Sequence, residues 1–215
     1  MRIGVLGCTA DPIQNDHLRM AGWTAEAFQL DQMLIMVAAT PPHKMGVGRS
    51  AEDRFRMAEL AVVGYPHLAV SRLELDHPGE PYTYQTVDRL HAAYGPDTQV
   101  FWVIGSDWVA TMHQVWREYE YLLSRIKLVV MGRPGYGLAA PQVPAGTIVR
   151  TLAPTDIPVP PNDEAQVYLV PQQVEHDLSS TLIRTRLAQG ESIEGLTPGP
   201  VVSYIHEHGL YKEAF

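Results

Sequence analysis

Cysteine is nearly absent from this chain. Cys8 is the only one, so no disulfide can form within it. A lone thiol fits a reducing compartment, and a cytoplasmic location is expected. Long apolar runs are absent too. None reaches the roughly 18 residues of a membrane-spanning helix. The opening stretch MRIGVLGCTADP breaks off at Asp11-Pro12, short of the apolar core of a signal peptide. There is no basic excess: 16 Lys and Arg stand against 24 Asp and Glu, a formal charge of −8. A nucleic-acid partner needs a basic face, so none is expected, and neither is a membrane. An anionic small ligand stays compatible, because a few local cations can hold phosphates inside an acidic protein. No Walker-type loop and no GxGxxG motif occurs. The histidines show no metal-ligand spacing: His206 and His208 are not four apart, and His43, His67, His77, His91, His113 and His176 are scattered. No metal site is expected.

What remains is an ordinary globular composition over 215 residues, 46% hydrophobic and 19% charged. That length suffices for one large domain with a real core. Strand and helix signals alternate. Ile3–Leu6, Met33–Ala38, Gln99–Ile104 and Lys127–Met131 read as strands, the apolar runs matching strands buried on both faces. His67–Leu75 reads as extended, and Ile148–Leu152 and Gln166–Val170 as short strands. Helices are expected over Asp16–Leu30, Ala51–Val63, Thr83–Tyr94, Val109–Leu123 (with a break near His113), Ser179–Gln189 and Pro198–His208. Gly132–Asp163 is rich in proline and glycine and reads as an irregular insertion. The pattern predicts an α/β fold: a mostly parallel sheet with helices on both faces and a small C-terminal helical part.

In such sheets ligands lie beyond the C-terminal ends of the strands, so the residues that follow strands carry the chemistry. After the first strand, Gly7 permits a tight turn, Thr9 offers a hydroxyl, and His17 stands at a helix mouth that attracts anions. A plain strand–helix connection with a capping histidine explains the same residues. Lys44 follows Pro41-Pro42-His43 and could swing toward a polyphosphate, or be an ordinary solvated lysine. Gly105-Ser106-Asp107 ends a later strand, where a carboxylate can accept from ribose hydroxyls or cap the next helix. Trp116 can stack on a flat ring or fill the core. Ser179, Ser180 and Thr181 open a helix with Arg184 one turn on, a second set of phosphate donors or simply a capped amphipathic helix.

Taken together, these segments resemble the bacterial nicotinate-nucleotide adenylyltransferases of the HxGH nucleotidyltransferase superfamily. The resemblance runs almost end to end through GCTADPIQNDHL, TPPHK, AEDRFRMAELA, LELDHPGEPYTYQT, VFWVIGSDW, WREYEYLL, VVMGRPGY, DLSSTLIR and IHEHGLY. It implies a single nucleotidyltransferase domain, 1–215, with a Rossmann-like fold. It implies transfer of AMP from ATP to nicotinate mononucleotide, giving deamido-NAD and pyrophosphate, with Mg²⁺ arriving with ATP and no tightly bound cofactor. Carried over by position, His17, Lys44 and Arg184 would be catalytic. Gly7, Thr9, Gln14, Gly105, Asp107, Ser180 and Thr181 would join His17 and Arg184 in binding ATP. Tyr82, Thr83 and Trp116 would surround the nicotinate ring. A homo-oligomer is left open.

Five positions depart from the family pattern. Cys8 and Ala10 stand where the family turn, Gly-Gly-Thr-Phe-Asp-Pro, has glycine and phenylalanine. The HxGH signature is here Gln14-Asn15-Asp16-His17, so Gln14 keeps a donor without a charge and Asp16 puts a carboxylate near a triphosphate. Pro81 replaces a serine. Three readings follow: a working adenylyltransferase, a non-catalytic nucleotide-binding relative, or a transferase for another phosphorylated acceptor such as nicotinamide mononucleotide.

Overall fold

In a computed structural model, residues 1–39, 49–77, 79, 82–171 and 178–212 are described. Among these residues, seven strands form one parallel sheet in the order β3-β2-β1-β4-β5-β7-β6. They are β1 Arg2–Cys8, β2 Gln32–Val37, β3 Leu68–Ser71, β4 Gln99–Gly105, β5 Lys127–Met131, β6 Val149–Thr151 and β7 Val167–Val170. The helices are α1 Asn15–Ala27, α2 Ala51–Ala61, α3 Thr83–Tyr94, α4 Met112–Val115, α5 Tyr119–Arg125, α6 Ser180–Ala188 and α7 Gly199–Glu207.

Alternate residues of each strand feed two separate cores, as a period of two requires. Leu6, Ile35, Val37, Phe101, Val103, Val129 and Met131 pack with residues of α1, α2, α6 and α7 on one face. Val5, Leu34, Met36, Trp102, Ile104 and Val130 pack with α3, α4 and α5 on the other. This double coverage is why the strands read as unbroken apolar runs. Inside β1, Gly4 is a close-approach position: a Cβ there would meet the Met33 sulfur and lie 2.6 Å from Leu30 Cδ1.

The winding reverses between β1 and β4, which are neighbours although far apart in sequence. Their C-terminal ends therefore splay into connections on opposite sides and open a crevice.

One expected element is different. Instead of a helix over Val109–Leu123, a 3₁₀ turn Ser106–Trp108 is followed by α4 and, after a break, by α5. Trp116 is extended (φ −77°, ψ 121°), and Glu118 adopts φ 50° in the left-handed region. A continuous amphipathic helix would keep Trp116 on a helix face; the break turns it toward the crevice. Within Gly132–Asp163, β6 extends the sheet edge and a 3₁₀ turn forms over Pro154–Asp156, where only irregular chain and a short strand are expected.

Candidate active site

The crevice encloses a cavity of about 670 Å³, well within the range of small-molecule sites. Gly7, Cys8, Thr9, Gln14, Asp16 and His17 line one end; Trp102, Gly105, Asp107 and Arg133 line the β4 side. Glu74, Tyr82, Thr83, Trp116 and Arg117 complete the wall. Residues from strand ends far apart in sequence are thus brought together.

Gln14 is the N-cap of α1, and its backbone N–H donates to His17 Nδ1 at 3.2 Å. A ring nitrogen that accepts carries no proton, so the proton sits on Nε2. The Gln14 side chain is 5% exposed; its Nε2 donates to Leu178 O at 2.8 Å, while Oε1 is buried with no hydrogen-bond partner. The first backbone N–H of α1, on Asn15, is committed to Leu196 O at 3.0 Å, so the helix mouth is less open than the motif suggests.

Asp16 is buried and lines the cavity rather than capping the helix. Its carboxylate receives Arg19 Nη1 at 2.9 Å, one turn on. Arg19 lies mostly in solvent, so the pair is a modest one. It still balances the charge that Asp16 brings to this end.

At the end of β4 the expected caps are not made. Ser106 Oγ instead accepts the backbone N–H of Arg133 at 3.0 Å, and Asp107 pairs with Arg133 Nη1 at 3.3 Å. Asp107 Oδ1 is buried and without a hydrogen-bond partner. The carboxylate lies against the backbone of Gly105, where a Cβ would strike Oδ1 and come within 2.8 Å of Arg133 Cδ. Glycine is required there for the carboxylate to lie down on the strand end.

At the far end, Trp116 packs on Tyr119 with ring centroids 6.4 Å apart. The guanidinium of Arg117 sits 4.1 Å from the Tyr82 ring centroid, a cation–π contact. Thr83 is the first residue of α3. Thr86 donates to Glu74 at 3.1 Å, and burial raises the Glu74 carboxyl above its ordinary 4.5 against the lowering effects of Thr86 and Arg89.

Ser180, Thr181 and Arg184 do not line this cavity. They brace its wall: Ser180 Oγ donates to Pro12 O at 2.9 Å, and Arg184 donates to Asp11 O at 2.8 Å and to Thr181 Oγ1 at 3.2 Å. Lys44, Pro81 and Asp177 lie outside the described residues.

Arg54, in the middle of α2, is not among the residues the sequence points to. It is 1% exposed and donates to Thr9 O and Ala38 O at 2.7 Å each and to Ala39 O at 2.9 Å. Burial lowers its pKa, opposed by Asp11, Tyr211 and Cys8. It stays charged and ties the loops after β1 and β2 together. Its only sequence signal is an arginine on the inner face of an amphipathic helix.

Residues 5–186 match the Cytidylyltransferase-like family. The chain is 36% identical to a probable nicotinate-nucleotide adenylyltransferase of Desulfatibacillum aliphaticivorans, covering 98% of this chain and 100% of that one. A homologue of the same name from Thermus thermophilus is 38% identical, with 99% and 100% covered. The chain belongs to the nicotinate-nucleotide adenylyltransferase family. The fold agrees: the solved nicotinic acid mononucleotide adenylyltransferase of Plasmodium falciparum, complexed with NaAD, superposes with a TM-score of 0.75 at 15% identity, covering 99% of this chain and 98% of that one. In this chain one cavity is lined by both His17 and Trp116.

Proposed function

We propose that this chain transfers the adenylyl group of ATP to the phosphate of nicotinate mononucleotide, releasing pyrophosphate and forming deamido-NAD. The observation that carries the reading is one uninterrupted cavity with hydrogen-bond donors at one end, a carboxylate at the middle strand end and aromatic rings at the other. An oxygen of the acceptor phosphate attacks the ATP α-phosphorus; the bond to the β-phosphate oxygen breaks, and pyrophosphate leaves with that electron pair. No protein nucleophile is needed. The chain contributes alignment and charge stabilisation.

His17 Nε2–H and the Thr9 hydroxyl are the donors to the triphosphate in this reading. Asp107 Oδ1 accepts from the adenylate ribose. Trp116 stacks on the pyridine ring, with Tyr82 and Thr83 beside it. Lys44, Ser180, Thr181 and Arg184 are the remaining members of the proposed phosphate-binding set, with Ser180 and Arg184 acting from the loop carbonyls they hold. In this reading Mg²⁺ arrives on the phosphate oxygens of ATP, which requires few protein ligands. Bound with ATP, the ion would neutralise phosphate charge. The whole chain acts as one nucleotidyltransferase domain.

The second reading, a nucleotide-binding relative without transfer, draws on Asp16, a carboxylate at the phosphate end. The Arg19 contact weakens it. Pyrophosphate release with ATP, Mg²⁺ and each of nicotinate and nicotinamide mononucleotide decides between them. Release with the nicotinate form supports adenylyl transfer. ATP binding with no release for any acceptor establishes the non-catalytic reading, and release with the amide alone reassigns the acceptor.

A further inference from the structure

The loop between β1 and α1 is held from outside at nearly every carbonyl. Arg54 takes Thr9 O, Arg184 takes Asp11 O, Ser180 takes Pro12 O, and Thr197 donates to Ile13 O at 2.7 Å. The loop needs holding. Ala10 is buried with φ 53°, in the left-handed region that residues with a Cβ rarely adopt.

One anchor comes from near the end of the chain. Tyr211, just after α7, is 0% exposed, and its hydroxyl donates to Asp11 Oδ1 at 2.6 Å. Asp11 is itself buried, and Arg184 Nη1 lies 4.0 Å from its other carboxylate oxygen. Burial and the neighbouring Asp11 charge push the Tyr211 hydroxyl far above its ordinary 10.0, so it remains a donor. The other side of this tyrosine is also used: the Arg49 guanidinium lies 4.9 Å from the ring centroid. Arg49 stands just before α2, on the connection that leaves β2. A single side chain thus touches both connections flanking the phosphate end of the cavity.

We propose that Tyr211 is a positioning residue for the nucleotide site, fixing through Asp11 the strained 9–14 loop that presents Thr9 and Gln14 to the cavity and seating Arg49 on its ring. The inference rests on the proposed ATP site but not on the identity of the acceptor.

The test is Tyr211→Phe in the full chain, which keeps the ring and removes only the hydroxyl. Loss of a buried bond to a charged partner corresponds to about tenfold. The dissociation constant for ATP, measured by equilibrium dialysis, should rise by that factor, and the KM for ATP with it. The KM for the acceptor should move less than about twofold, because the Trp116 end is untouched. Amide hydrogen exchange across 9–15 should speed up while other strand amides keep their rates. A variant that melts earlier yet binds ATP as the parent does overturns the proposal, since the tyrosine would then be structural only. If the parent binds ATP but transfers nothing, the proposed function fails and the dialysis comparison still decides this one. If the parent does not bind ATP, both fall.

Discussion

His17 accepts the Gln14 backbone N–H at Nδ1, and the turn that starts α1 thereby leaves the proton on Nε2. Removing one donor that acts in the transition state typically costs a factor of about 10² to 10³ in turnover. His17→Ala should therefore lower kcat for pyrophosphate release by about 10² or more; an unchanged kcat would remove His17 from the phosphate site. Glu74 responds to pH instead. Its folded pKa is raised by burial, so ionising it in place costs stability. Below the ordinary 4.5 the carboxyl is protonated both folded and unfolded, and no cost arises. Above that value the cost grows until the folded carboxyl ionises. Glu74→Gln should accordingly raise Tm at pH 7 to 8, with the gain shrinking toward pH 4; a gain independent of pH would mean that burial of charge is not its origin. His17 and Asp107 line the cavity and are legible in the sequence because they lie in the connections after β1 and β4; Trp116 also lines it, although its position beyond α4 gives no such signal. Arg54 and Tyr211 are not legible, because they act on carbonyls and a carboxylate distant in sequence and leave no local pattern.

At the scale of elements, α2 does more than cover the sheet. Through Arg54 it joins the ends of β1 and β2 at three carbonyls. Arg54→Met would leave those acceptors unpaired in a buried place, a loss of about 3 kcal/mol or more. For a chain of this size that lowers Tm by roughly 6–12 °C. The check is calorimetric, and a shift of under about 2 °C would show that water or the neighbouring chain replaces the guanidinium. Strands and most helices are readable because period and caps agree, as at α2, where the Ser50 hydroxyl accepts the Asp53 backbone N–H. The stretch after β4 is not. Its apolar residues satisfy a helical period, but Trp116 is turned out of register by the left-handed Glu118. Helical spacing records which residues are buried, not whether the chain between them is continuous.

At the scale of the molecule, the switch between β1 and β4 decides where a ligand can bind; alternating strands and helices predict the parallel sheet and its C-terminal edge, but not which two strands lie side by side there. The bound state should be visible in overall stability. A ligand that binds only the native form at a hundred times its Kd adds about 2.7 kcal/mol, which for a domain of this length is a rise in Tm of roughly 5–11 °C. ATP with Mg²⁺ should produce that rise in the parent, and removing ATP by dialysis should reverse it. No rise at saturating ATP would count against the nucleotide site as a whole.

The aromatic lining has a practical consequence. Of the four tryptophans, Trp102, Trp108 and Trp116 line the cavity, while Trp23 packs edge-on to Phe28 on the opposite face of the sheet. An indole's emission depends on what touches it. The protein therefore carries its own optical reporter, with Trp23 as a steady background. Arrival of an unmodified nucleotide should be followed by intrinsic fluorescence, without a label, and Trp116→Phe should remove the part of the signal that belongs to the acceptor.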